Sequence, residues 1–175
     1  PMIVVMTNGN AAQEAAPGES SLGYTQPSLM QAKTMEGSFE QHFPEVVKFI
    51  DKNYRTKANK KNRAIAGLSM GGMQTRVITL AEPATFSYVG MFSGGTISLE
   101  DVKGSEGFKK NNKLVFIGYG SREIENPRGR APEEVVNELK ADGMNAHFYV
   151  SPETAHEWQT WRRSLYEFAQ LVFRK

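Results

Sequence analysis

Arg63-Ala64-Ile65-Ala66-Gly67-Leu68-Ser69-Met70-Gly71-Gly72 is the stretch on which the reading of this chain turns. Arg63 to Gly67 is short and apolar, as a buried strand is. Ser69 to Ala81, rich in Met, Gln, Arg and Leu, reads as the helix that follows at once. Between them Gly67-Leu68-Ser69-Met70-Gly71 fits G-x-S-x-G. A strand that becomes a helix with no loop between must turn sharply, and Gly67 and Gly71 leave room for the backbone to do so. Such a turn lifts the Ser69 hydroxyl above the strand ends. It also aims the Met70 N–H, with the positive end of the helix behind it, at a developing oxyanion. The competing reading is a glycine-rich turn with an incidental serine.

A serine hydroxyl is a poor nucleophile until a base takes its proton, so a histidine partner is required. Three exist. His42 precedes Ser69 and lies in a predicted helix, and His147 lies inside the predicted strand Ala146 to Val150; both read as structural. His156 follows that strand, after the loop Ser151 to Ala155, and stands just before the last predicted helix. Loops at the carboxyl ends of strands are where open α/β sheets carry their sites, which favours His156. An acid is needed to orient the imidazole, on a loop between Ser69 and His156. Glu123 and Glu125 both follow the predicted strand Lys113 to Gly118, with Glu123 preferred on position. Asp142, before Gly143, reads as a turn residue, and Asp101 has no strand before it.

Outward from this centre, Met2 to Met6 is an apolar run that predicts a buried strand. Residues 9 to 34 form a Gly-, Ala-, Ser-, Gln- and Pro-rich excursion near a site. Residues 38 to 53 have helical apolar spacing, with Pro44 in the first turn or at a kink. Tyr88 to Phe92 is a strand, residues 96 to 112 a polar connection with a little helix, Pro132 to Ala141 a helix and Trp158 to Phe173 the closing helix. Alternating strands and helices with near-continuous apolar strands predict an α/β fold, a mostly parallel sheet with helices on both faces. One domain over residues 1–175 is expected. It is expected to be incomplete at its front, because the chain opens without Met and runs straight into a strand.

Composition removes other classes. The chain has 175 residues, 39% of them hydrophobic and 23% charged, and a formal net charge of +2 with scattered Lys and Arg. No nucleic-acid partner is indicated, and no apolar run is long enough for a membrane span. With no cysteine there is no disulfide framework, thiolate nucleophile or cysteine metal site. The expected chemistry needs neither cofactor nor metal.

Four segments together, NRAIAGLSMGGMQT, FSYVGMFSGG, KLVFIGYGSRE and HEWQTWRRSLYEF, resemble the carbohydrate esterases of family 1 and their esterase-D-like relatives. The likeness is nearest to bacterial feruloyl esterases fused to xylanases. The resemblance implies the α/β-hydrolase fold, with Ser69 as nucleophile, His156 as base and the Met70 backbone as an oxyanion donor. The family's acid is usually an Asp in a turn after a strand; here Gly120-Ser121-Arg122-Glu123 occupies that place, which puts Glu123 in the role. The family's early strand with an H-G-x-G-G-like loop has no counterpart in this sequence, so the chain alone is expected to be inactive. The implied substrate is a feruloyl or acetyl ester on xylan side chains. Alternatives are small aryl esters, thioesters and siderophore esters, or a non-catalytic glycan-binding module on the same fold. Association with a glycoside hydrolase and a secreted or periplasmic location are implied in the same way. Trp158 and Trp161 share a helix face and are expected to pack on the sheet rather than stack on a phenolic acyl group. The 9–34 excursion, with Asn8, Asn10 and Tyr24, is expected either to line the acyl pocket or to carry homodimer contacts.

Overall fold

The computed structural model describes residues 2–7, 38–125 and 129–174. They fall into two compact units, Pro1–Lys57 and Ala58–Lys175.

In the first unit the expected helix is present as α1 (Ser38–Asn53). Glu40 in its first turn and Lys52 in its last complement the helix dipole. Phe39 and Phe43 meet edge to face, with ring centroids 5.5 Å apart. Pro44 lies past the first turn, inside the helix. The expected strand at Met2 to Met6 does not form: these residues have no regular structure and are exposed, from 44% at Val5 to 91% at Met6. An apolar run marks a segment for burial. A strand, however, exists only with a neighbour to exchange hydrogen bonds with, and that neighbour is not written in the run itself.

The second unit carries the sheet. Its order is a 3₁₀ turn (Lys60–Asn62), β1 (Ala64–Leu68), α2 (Met70–Ala81), β2 (Tyr88–Phe92), α3 (Leu99–Gly104), α4 (Phe108–Asn111), β3 (Leu114–Gly120), α5 (Ser121–Ile124), α6 (Pro132–Ala141), β4 (Ala146–Ser151) and α7 (Trp158–Leu171). The four strands are all parallel and lie in the order β1-β2-β3-β4. Each strand adds to the same side of the last, so right-handed crossovers put the connecting helices on one face. On that face Val89, Met91, Val115 and Ile117 are fully buried, as are Val136 and Leu139 of α6.

The helix α7 covers the other face. There Tyr88, Phe92, Leu114, Phe116 and Phe168 form one cluster, with Phe92 edge-on to Phe116 at 5.8 Å. The face of α7 turned to the sheet is rotated away from Trp158, which was expected to pack there. Thr160, Ser164 and Phe168 are buried, whereas Trp158 is 73% and Leu165 53% exposed. Close approach explains the rotation: a Cβ on Gly118 would stand 2.5 Å from the Ser164 hydroxyl, so small residues meet where helix and sheet touch.

Because every strand runs the same way, all four carboxyl ends lie along one edge of the sheet. Ser69, Ser93, Ser121 and the Pro152–His156 loop begin there.

Candidate active site

Ser69 sits between β1 and α2 with φ 50° and ψ −120°, a backbone that residues with a Cβ rarely adopt. Its N–H is held by the carbonyl of Phe92 at 2.8 Å, one more rung of the β1–β2 ladder before the chain turns. Strain of about 1–3 kcal/mol is typical of such residues and persists only where the surroundings enforce it. Gly67 is what permits the turn: a Cβ there would lie 2.0 Å from the Gly71 carbonyl oxygen. Met70 opens α2, so its N–H belongs to the first-turn donors that have no partner within the helix.

His156 stands in the loop between β4 and α7, its side chain half exposed. Its Nε2 is 2.8 Å from Ser69 Oγ, and its Nδ1 is 2.8 Å from Glu123 Oε1. Glu123 is the third residue of α5 and folds back on the start of its own helix, where its Oε2 accepts the Gly120 N–H at 2.7 Å. The same oxygen accepts the Ser93 hydroxyl at 2.8 Å. The loops that carry Glu123 and His156 are clamped together: Arg122 N–H donates to the Thr154 carbonyl at 3.0 Å, and a Cβ on Gly120 would lie 2.4 Å from that carbonyl oxygen.

The other candidates lie elsewhere. Glu125 is exposed at the end of α5. His42 is exposed on α1, beside Glu45 at 3.3 Å. His147, within β4, stacks on Phe116 with centroids 5.3 Å apart, and burial holds its pKa below the ordinary histidine value. Asp142 ends α6 and pairs with Lys109 at 2.7 Å. Asp101 closes a capping box with Ser98 and pairs with Arg76. Asn8, Asn10, Tyr24 and the rest of the 9–34 excursion lie outside the described residues. Among the described residues no group of three or more His, Asp and Glu side chains could hold a metal ion, and no helix is long and apolar enough to cross a membrane.

A hydroxyl on a strained turn, bonded to an imidazole that a carboxylate orients, is an arrangement for nucleophilic attack with general-base assistance. The family model described as "Putative esterase" matches residues 1–170. The chain belongs to this esterase family.

Among its relatives is an endo-1,4-beta-xylanase/feruloyl esterase of Xylanibacter ruminicola, 48% identical over 130 residues. The match covers 74% of this chain and 17% of that protein. A CE1 ferulic acid esterase of Anaeromyces mucronatus has a similar structure, with a TM-score of 0.62 at 18% identity over 82% of this chain and 57% of the other. A fluorophosphonate-binding serine hydrolase of Staphylococcus aureus gives a TM-score of 0.59 at 14% identity, over 78% of this chain and 64% of that one. At these identities the structures show the fold, which is that of an α/β-hydrolase. This esterase-family chain spans less than two thirds of each of these three relatives.

Two residues at the site of this esterase-family chain escaped the sequence reading. Ser93, just after β2, shares the positive φ of Ser69, 50°, and accepts the Trp161 indole N–H at 3.1 Å while donating to Glu123. Tyr119 accepts the Gly95 N–H on its phenol oxygen at 2.9 Å, and burial pushes that phenol above its ordinary pKa. The signal for Ser93 was the Ser-Gly-Gly that closes β2, which reads equally well as a plain strand end. Trp161 packs against the α7-side core cluster as expected, whereas Trp158 stands 73% exposed.

Proposed function

We propose that this chain is the catalytic part of a serine carboxylic-ester hydrolase that works through an acyl-enzyme and removes feruloyl or acetyl groups from xylan side chains. The observation that carries the chemistry is the pair of 2.8 Å contacts joining Ser69, His156 and Glu123. Glu123 accepts from Nδ1 and so leaves Nε2 bare to take the Ser69 proton. Ser69 Oγ attacks the ester carbonyl. The Met70 N–H, at the α2 N-terminus, supports the oxyanion of the tetrahedral intermediate. As the intermediate collapses, His156 returns the proton to the departing alcohol. Water, deprotonated by His156 in its turn, then attacks the acyl-enzyme, releasing the acid and restoring the Ser69 hydroxyl. Every proton is carried by His156, so neither metal nor cofactor enters.

The substrate class is supported by the printed name of the relative that is 48% identical, an endo-xylanase/feruloyl esterase. That pairing also supports association with a glycoside hydrolase, and a polymeric substrate would suit a secreted or periplasmic enzyme. A second oxyanion donor must come from sequence beyond the elbow, and losing one such donor costs about 100- to 1000-fold in turnover.

The test is hydrolysis of methyl ferulate, aryl acetates and thioesters by this chain and by an upstream-extended version, with Ser69→Ala in each. Methyl ferulate turnover in the extended form, abolished by Ser69→Ala, is the expected result. Turnover of short acetates alone would move the substrate away from feruloyl esters. Silence of folded protein on every ester would end the esterase reading.

A further inference from the structure

We propose that Ser93 and Trp161 are positioning residues of the triad: the indole N–H directs the Ser93 hydroxyl onto Glu123, and that bond holds the carboxylate that orients His156. The inference rests on the esterase reading for its consequence in turnover, but not for its geometry.

An indole nitrogen donates and cannot accept. Trp161 Nε1 is 3.1 Å from Ser93 Oγ, so that oxygen is the acceptor and its own proton is left to point elsewhere. The partner in reach is Glu123 Oε2, at 2.8 Å. With the Gly120 N–H at 2.7 Å, Oε2 receives two hydrogen bonds, and the Glu123 side chain is only 12% exposed. An ionised carboxylate accepts at both oxygens, and with Oε2 held by two donors Oε1 is turned to His156 and accepts the Nδ1–H. The tautomer is thereby chosen: Nε2 carries no proton and accepts from Ser69 Oγ. The direction imposed at Trp161 ends on Glu123: the indole fixes where the Ser93 proton points, and that bond holds the carboxylate in the orientation that meets His156.

Two further observations assign this work to these side chains. Ser93 has φ 50°, where glycine would be unstrained, and glycines occupy the next two positions. Keeping a Cβ there carries a strain that the Ser93 hydroxyl offsets through its two bonds. The Trp161 ring also stands edge-on to the His156 imidazole, with centroids 5.1 Å apart and planes at 87°. One indole therefore restrains both the base and, through Ser93, the acid. A glutamate needs this more than an aspartate does, because it has one more rotatable bond to hold.

The experiment uses the upstream-extended chain of the ester assay, labelled with ¹⁵N-histidine, as wild type, Ser93→Gly, Trp161→Phe and the double variant. Ser93→Gly removes the hydroxyl and relieves the backbone, so folding is preserved, and a thermal melt verifies this. The first readout is the downfield His156 Nδ1–H resonance. The second is the rate at which a fluorophosphonate labels Ser69. The expected result is a resonance present in wild type and lost in both single variants. Labelling slows about 10- to 100-fold, the worth of one hydrogen bond to a charged group, and the double variant is no slower than Ser93→Gly. A resonance retained in Ser93→Gly, or absent from wild type, overturns the proposal. So do additive rate losses, which would make Trp161 a packing residue only. An unlabelled wild type whose resonance still depends on Ser93 would sink the esterase reading while leaving the positioning intact.

Discussion

Gly72 of α2 and Gly94, just beyond β2, touch backbone to backbone: a Cβ on Gly72 would lie 2.7 Å from the Gly94 Cα, and one on Gly94 would lie 2.4 Å from the Ser69 carbonyl oxygen. This contact locks the turn that carries Ser69 to the turn that carries Ser93. Gly94→Ala is expected to push the two apart. A displacement near 1 Å at reacting atoms costs about 100-fold, so fluorophosphonate labelling of Ser69 should fall by that order while the circular dichroism spectrum stays that of a folded protein. Unchanged labelling would show that the two turns move independently.

Glu123 and Glu125 are separated by their contacts rather than by their chemistry. Glu123→Gln keeps the shape but offers an amide where a carboxylate oriented His156. Ester turnover should fall by up to about 10⁴-fold, the scale of losing the orienting acid in such triads. Glu125→Gln should leave turnover unchanged. A loss confined to Glu125→Gln would reverse the assignment.

His147 supplies a pH-dependent part of the stability. Burial against Phe116 depresses its pKa below the ordinary 6.5, with Lys140 adding in the same direction and Glu167 opposing. The folded state therefore prefers the neutral ring. Its contribution is complete above the ordinary value and is lost as pH falls from there through the depressed one. The urea midpoint should drop as pH falls below 6.5, and His147→Phe should flatten that slope. An identical slope in the variant would assign the acid sensitivity to other groups.

Ser98 and Asp101 cap α3 by exchanging hydrogen bonds, 3.1 Å from the Asp101 N–H to Ser98 Oγ and 2.8 Å from the Ser98 N–H to Asp101 Oδ2. Burial raises the Asp101 pKa, but the Ser98 bonds and Arg76 outweigh it and hold the carboxyl below its ordinary 3.8. Its stabilisation is present above that value and lost only as pH falls below it. Ser98→Ala should cost about 0.5–2 kcal/mol in urea denaturation near neutrality. No loss there would mean that the Arg76 pair suffices.

Much of this was written in local sequence. The five residues Tyr88 to Phe92 are a strand because they are apolar throughout and closed by Ser-Gly-Gly. Pro132 to Ala141 is a helix because proline opens it and apolar residues recur at helical spacing. G-x-S-x-G between a strand and a helix leaves one economical backbone path, and the structure follows it at Ser69. Chain order and loop position selected His156 from three histidines. All of these depend on neighbours a few residues away.

What depends on distant neighbours was not legible. Met2 to Met6 has the apolar signature of a strand but no pairing, since periodicity records a side chain's preference and not the presence of a partner. Trp158 was expected on the sheet with Trp161, yet Gly118 and Ser164 set the contact and leave Trp158 exposed, because the closest approach of a helix to a sheet is decided by the smallest residues on both. The sequence by itself determined the strand–turn–helix at Ser69, the parallel α/β class and the histidine. Only the tertiary structure decided which glutamate reaches that histidine, and that Ser93 and Trp161 hold it there. A hydrogen bond across 33 residues, as between Glu123 and His156, exists only once parallel strands have brought their carboxyl ends to one edge.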